Sequence, residues 1–160
     1  MSAPPKVVIR RPNPVHFAVE TTAVADLYIE SRATTLPRVK RVHNKAEIHA
    51  WMRDVVFPRR SIRIAQAGDE IVGFAARDGA WLEQLYVRPG WTGRGIGREL
   101  LDIVIVEARM VTPVLRLNTF QCNAGARRFY ERNGFVAVAF GDGSDNEERE
   151  PDIRFERAIR

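Results

Sequence analysis

Between Gly93 and Arg98 the chain reads Gly-Arg-Gly-Ile-Gly-Arg, after the apolar run Leu82 to Val87 and before the helical pattern opening at Glu99-Leu100-Leu101. A strand, a glycine loop and a helix start make a seat for an anion. Glycines let the backbone approach a ligand closely. The N–H groups of a helix's first turn have no partner within the helix and lie at the positive end of its dipole. Arg94 and Arg98 add charge-assisted contacts of the kind that phosphate oxygens accept in pairs. The expected anion contacts are therefore Gly93, Arg94, Gly95, Ile96, Gly97 and Arg98. The alternative is a tight turn whose glycines serve packing alone.

A second pattern follows, Asn123-Ala124-Gly125-Ala126-Arg127-Arg128-Phe129-Tyr130-Glu131-Arg132-Asn133-Gly134-Phe135. Taken together, Gly-x-Gly-x-Gly after a strand and then Asn-x-x-Ala-x-x-Phe-Tyr-Glu-x-x-Gly-Phe resemble the GNAT superfamily of acyl-coenzyme A-dependent N-acetyltransferases. The likeness is specific from about Trp81 to Phe135 and topological before it. One position departs: the family loop usually opens with Gln or Arg, where this chain has Thr92, a hydroxyl with less reach toward a pyrophosphate.

The resemblance implies direct transfer of an acetyl group from acetyl-CoA, as co-substrate, to an amine. It maps the pyrophosphate to Gly93 through Arg98, and the pantetheine arm to the backbone of Leu85, Tyr86 and Val87 and to the side chain of Asn123. Asn123 reads equally well as a plain helix N-cap, and both roles can hold together. A backbone N–H on the Leu85–Val87 segment could polarise the thioester carbonyl. Tyr130 maps to the general acid, because a phenol with a pKa of about 10 is protonated at neutral pH and can hand a proton to a departing thiolate. The alternative for Tyr130 is a core ring beside Phe129. Glu83 shares strand parity with Leu85 and Val87 and is the candidate base, directly or through a water; it could instead be a surface or pairing residue. Other family members carry a glutamate on the next strand, where this chain has Asn118, which cannot act as a base. A non-catalytic acyl-CoA-binding or regulatory module on the same fold is the second function class.

The acceptor is less marked. The segment Asp142 to Asp152 holds six carboxylates against one arginine and suits either the steering of a cationic amine or a solvated hairpin loop. A small amine, an antibiotic, a peptide N-terminus and a protein lysine all remain open.

Composition bounds these readings. At 160 residues and 45% hydrophobic content the chain suits a single domain over residues 1–160 with one core. A lone cysteine, Cys122, and an N-terminus without an apolar leader point to a reducing, cytoplasmic setting. No stretch approaches the roughly 20 apolar residues of a membrane span. The net charge of +5 comes mostly from dispersed arginines without interleaved aromatics, which argues against nucleic acid as a partner. His16, His43 and His49 are too scattered for a metal site, and His49 reads as structural or exposed. A homodimer is compatible with all of this. A dinucleotide-binding Rossmann unit fits less well, since the last glycine of Gly-x-Gly-x-x-Gly is Arg98 here.

The elements that must position these groups follow from periodicity. Val7-Val8-Ile9 is a first strand, and Thr22 to about Arg32 a helix with Val24, Leu27 and Tyr28 inward. Asn44 and Glu47 resemble a capping box, starting a helix that runs to about Val56 with Ile48, Trp51, Met52 and Val55 on one core face. Strands Ile62–Ala65, Ile71–Ala75 and Ala80–Val87 are joined by turns at Gly68-Asp69 and Asp78-Gly79. After the glycine loop come a helix, a strand Val114–Phe120, a helix from Asn123 to Gly134, and strands Phe135–Phe140 and Ile153–Ile159. The order β-α-α-β-β-β-α-β-α-β-β predicts an α/β (α+β) fold like that of the resembling family, with a mixed, mostly antiparallel sheet flanked by helices.

Overall fold

A computed structural model describes residues 3–160. The strands are β1 (Val7–Arg10), β2 (Ser61–Ala67), β3 (Glu70–Asp78), β4 (Trp81–Val87), β5 (Val114–Phe120), β6 (Val136–Gly141) and β7 (Asp152–Ala158). They form one sheet in the order β1-β2-β3-β4-β5-β7-β6, antiparallel at every join except the parallel β4–β5 join in the middle. The helices are α1 (Phe17–Thr35), α2 (Lys45–Trp51), α3 (Phe57–Arg59), α4 (Ile96–Ala108) and α5 (Ala124–Arg132). No helix among the described residues is long and apolar enough to cross a membrane.

Two apolar clusters cover the sheet. One joins α4 and β5 through Leu100, Leu101, Val104 and Leu115, reaching Tyr130 and Phe155. The other joins α1 and α2 to β3 through Val24, Leu27, Ile48 and Phe74. Buried from both sides, β3 is a continuous apolar run, Ile71 to Ala76, rather than an alternating one.

Four local expectations need correction. The first helix starts at Phe17 and ends at Thr35, outside the expected Thr22–Arg32. Its early turn carries a polar inward residue that hydrophobic spacing does not reveal: Glu20, 3% exposed, accepts from Arg10 Nη2 at 2.5 Å and from the Asn13 N–H at 2.6 Å. The second helix begins at the expected capping box but rewinds over Met52–Val56 as a π-helical turn, with the Phe57 N–H donating to Met52 O. That wider turn carries an extra residue, so Val56 and not Val55 is buried with Met52. The second hairpin turn is Gly79-Ala80, because Asp78 stays in the ladder opposite Trp81 and Gly79 takes the positive φ of +55°. Lastly, β4 bulges. Ala76 lies opposite Gln84 and Arg77 opposite Leu82, which leaves Glu83 without a partner and breaks its parity with Leu85 and Val87.

Candidate active site

The glycine loop and α4 form the arrangement expected of an anion seat. Gly93 and Gly95 have φ of +74° and +81°, and a Cβ at either would meet no atom within 4 Å, so their exposed side is open space. The helical ladder opens with the Glu99 N–H donating to Gly95 O at 3.0 Å. The N–H groups of Ile96, Gly97 and Arg98 precede that bond and have no helical acceptor. The Ile96 side chain is buried in the core, which leaves only its backbone at the loop. Arg94 lies over the Trp91 ring at 4.6 Å, and Arg98 is exposed. Thr92 is exposed in the same turn.

The end of α4 also reaches the next part of the site. A Cβ on Gly97 would sit 3.5 Å from Phe129 Cζ and 3.8 Å from Val87 Cγ2, so the missing side chain lets α4 close onto both. Val87 ends β4, where the sheet opens. The β4–β5 ladder consists of Trp81 opposite Arg116, backed by the Arg116 N–H donating to Ala80 O at 2.8 Å. Beyond that pair the strands separate, and Leu85, Tyr86 and Val87 have ladder partners on the β3 side only. The Ser31 hydroxyl of α1 donates to Val87 O at 2.9 Å and fixes the strand's end.

Around this opening lies a cleft of about 560 Å³ lined by Glu83, Gln84, Tyr86, Asn118, Asn123 and Arg154, among others. The bulge in β4 places Glu83 on the same cleft wall as Gln84 and Tyr86. Its carboxylate accepts from Arg60 Nε at 2.7 Å. Asn123 is the N-cap of α5, its Oδ1 accepting from the Ala126 N–H at 3.1 Å, and it lines the cleft as well. The cap and the cleft position thus coexist.

Tyr130 is not among the residues lining the cleft; it is 8% exposed, with its ring against Phe129, Phe135 and Phe155. Burial pushes its phenol well above the ordinary tyrosine range, and the neighbouring Tyr86 phenol adds to the shift. The packing is that of a core ring, and its phenol stays protonated at neutral pH. Tyr86 is raised too, again mainly by burial.

Sequence periodicity missed a second wall. Tyr28 and Arg32 on α1, Leu36 after it, and Glu148 from the β6–β7 connection line the cleft at the opening. They continue into a larger lobe of about 790 Å³ that also takes in Ile48 and Trp51. The acidic connection is not a free field of negative charge. Glu148 pairs with Arg32 at 3.3 Å and Glu147 with His43 Nε2 at 2.7 Å. His49, expected to be structural or exposed, is bonded to Asp26 at 2.8 Å.

The sequence pattern described as "Acetyltransferase (GNAT) domain" matches residues 58–137, half of the chain. The chain belongs to the GNAT acetyltransferase family. This GNAT chain is 28% identical over 120 residues to the peptidyl-lysine N-acetyltransferase YiaC of Escherichia coli (strain K12), a match covering 74% of this chain and 79% of YiaC. Solved structures share the fold. The yncA structure from Salmonella typhimurium with its cofactor acetyl-CoA superposes with a TM-score of 0.72 at 19% identity, over 97% of this chain and 95% of that one. The PaiA N-acetyltransferase of Thermoplasma acidophilum, in complex with coenzyme A, does so with a TM-score of 0.70 at 18% identity, over 96% and 99%. Coenzyme in these two neighbours agrees with acetyl-CoA as the co-substrate that the family resemblance implied.

Proposed function

We propose that this GNAT chain transfers the acetyl group of acetyl-CoA to an amine by direct attack. The observation that carries the reading is the parting of β4 from β5 immediately beside an open helix N-terminus and a protonated, buried tyrosine. Any one of these has a structural explanation; their convergence on Val87 and Phe129 has a chemical one.

The residues divide the work as follows. The N–H groups from Gly93 to Arg98 hold the pyrophosphate, with Arg94 and Arg98 adding charge. Leu85, Tyr86 and Val87 receive the pantetheine arm along the edge that β5 leaves free, and Asn123 meets it from the start of α5. The bound thioester supplies an activated acyl carbon. An N–H of the Leu85–Val87 segment polarises its carbonyl. Glu83, on the cleft wall, takes the ammonium proton through a water, so that the amine's lone pair is available. As the C–N bond forms and the C–S bond breaks, Tyr130 delivers its proton to the sulfur, and the proton that the acylated nitrogen sheds returns through water to the Tyr130 phenolate. An ordinary phenol is already protonated at neutral pH, and burial raises its pKa further, so the transfer rests on the hydroxyl's placement at the sulfur rather than on its acidity.

The test is release of free thiol from acetyl-CoA across a panel of amines, with mass spectrometry of the products. Acetylated amine appearing in step with thiol supports the reading. Coenzyme binding without turnover of any amine would favour the non-catalytic module instead.

A further inference from the structure

The larger lobe of the cleft has a chemistry of its own. One side is apolar: Ile29, Leu36, Val39, Val42 and Ile48 meet the rings of Tyr28 and Trp51, whose centroids are 5.5 Å apart. Its volume of about 790 Å³ lies in the range that encloses a small organic ligand, roughly 300–1,000 Å³. A lysine side chain is thin and would leave much of this space to water.

Its charges lie at the rim and mostly answer one another. Arg32 pairs with Glu148, and His43 with both Glu147 and Glu47, at 2.7 and 3.4 Å. Arg41 donates to the His43 backbone carbonyl at 2.9 Å, and Lys40 is exposed beside it. A polycation entering here would meet Arg32, Lys40 and Arg41, which all line the lobe. Arg32 holds only the Oε1 of Glu148, so a single ammonium has a place at its other carboxylate oxygen, where the lobe joins the opening between β4 and β5. The pairs Arg32–Glu148 and His43–Glu147 also tie the α1–α2 side of the lobe to the β6–β7 connection. A folded protein substrate would have to part them, whereas a small molecule fits beneath.

We propose that this lobe binds a small primary amine carried on an apolar, ring-containing body, with the ring packed against the touching pair Tyr28 and Trp51 and the amine at the Glu148 end, next to Gln84. As the acceptor site, this assignment rests on the acetyl-transfer reading above; as a binding site it stands alone. It replaces a general attraction for cations by a defined shape: one positive charge and a hydrophobic remainder.

Two measurements test it. The first titrates phenethylamine, then putrescine, into the protein while following the Trp51 indole N–H by NMR, with Trp51→Phe to assign the signal. Phenethylamine should shift that signal saturably, and putrescine should not. The second measures thiol release with phenethylamine, tryptamine, putrescine and a lysine-containing peptide. The arylalkylamines should exceed the other two by about tenfold or more in kcat/KM, the scale on which a filled apolar pocket discriminates. Because Trp51 also packs against the core, a second variant works at the rim. The double substitution Val39→Asn with Val42→Asn should raise KM for phenethylamine about tenfold and leave KM for acetyl-CoA unchanged. An unmoved Trp51 signal, or preference for putrescine or the peptide, overturns the proposal while leaving acetyl transfer intact. A shifted signal with no turnover of any amine upholds the binding site and overturns acetyl transfer.

Discussion

Tyr130 has a single polar atom, and the account gives that atom one task. Tyr130→Phe keeps the ring among Phe129, Phe135 and Phe155 and removes only the proton donor. Turnover should fall by about 10² to 10⁴, the usual contribution of a positioned acid, with KM for acetyl-CoA nearly unchanged. Steady-state kinetics across pH checks this, and wild-type turnover in the variant would assign Tyr130 to packing. His43 offers a prediction about charge. Hydrogen bonds that the His43 ring donates to Glu147 and then to Glu47 raise its pKa above the ordinary histidine value. A raised pKa means that the tie to the β6–β7 connection is fully present below that ordinary value and is lost as pH rises through the folded one. NMR titration of the His43 ring should show the raised value, and Glu147→Gln should bring it back toward normal. Single residues were legible in the sequence where the backbone imposes their type, as at Gly93, Gly95 and the Asn123 cap. Tyr28, Ile48 and Trp51 were not, because a helix face that lines a cleft has the same spacing as one that fills a core.

At the scale of elements, the loop and α4 act together. Gly95 is the N-cap of α4 in the left-handed region, where a β-branched side chain is strained, and its missing Cβ faces open space. Gly95→Val should therefore weaken acetyl-CoA binding by at least tenfold through both strain and obstruction. Calorimetry showing unchanged affinity would remove the pyrophosphate from this loop. A second element-scale prediction concerns β1 and α1. Glu20→Ala removes the acceptor for Arg10 and for the Asn13 N–H, and should cost about 1–3 kcal/mol in chemical denaturation. Strand and helix order could be read from periodicity because each element has an apolar face. The π-helical turn at Met52–Val56 and the bulge at Glu83 could not. Each is a one-residue adjustment set by packing between distant segments. Each changes which residues face inward, placing Val56 in the core and Glu83 on the cleft wall.

The whole molecule is a sheet with a deliberate gap. Six antiparallel or parallel joins hold seven strands, and only the β4–β5 join is reduced to the pair Trp81 and Arg116. The two apolar clusters hold β4 with α1 on one side and α4 on the other, so the gap is supported on both faces. Such a gap leaves backbone groups of β4 and β5 without a strand partner and open to water or a ligand. The account's central claim is that the ligand is the arm of acetyl-CoA, with its pyrophosphate over the glycine loop. The most direct measurement is a titration of coenzyme A into isotopically labelled protein, following backbone amides by NMR. Saturable shifts should concentrate at Leu85 to Val87, Gly93 to Arg98 and Asn123. Binding that leaves those amides unmoved, or no binding at all, would contradict the account.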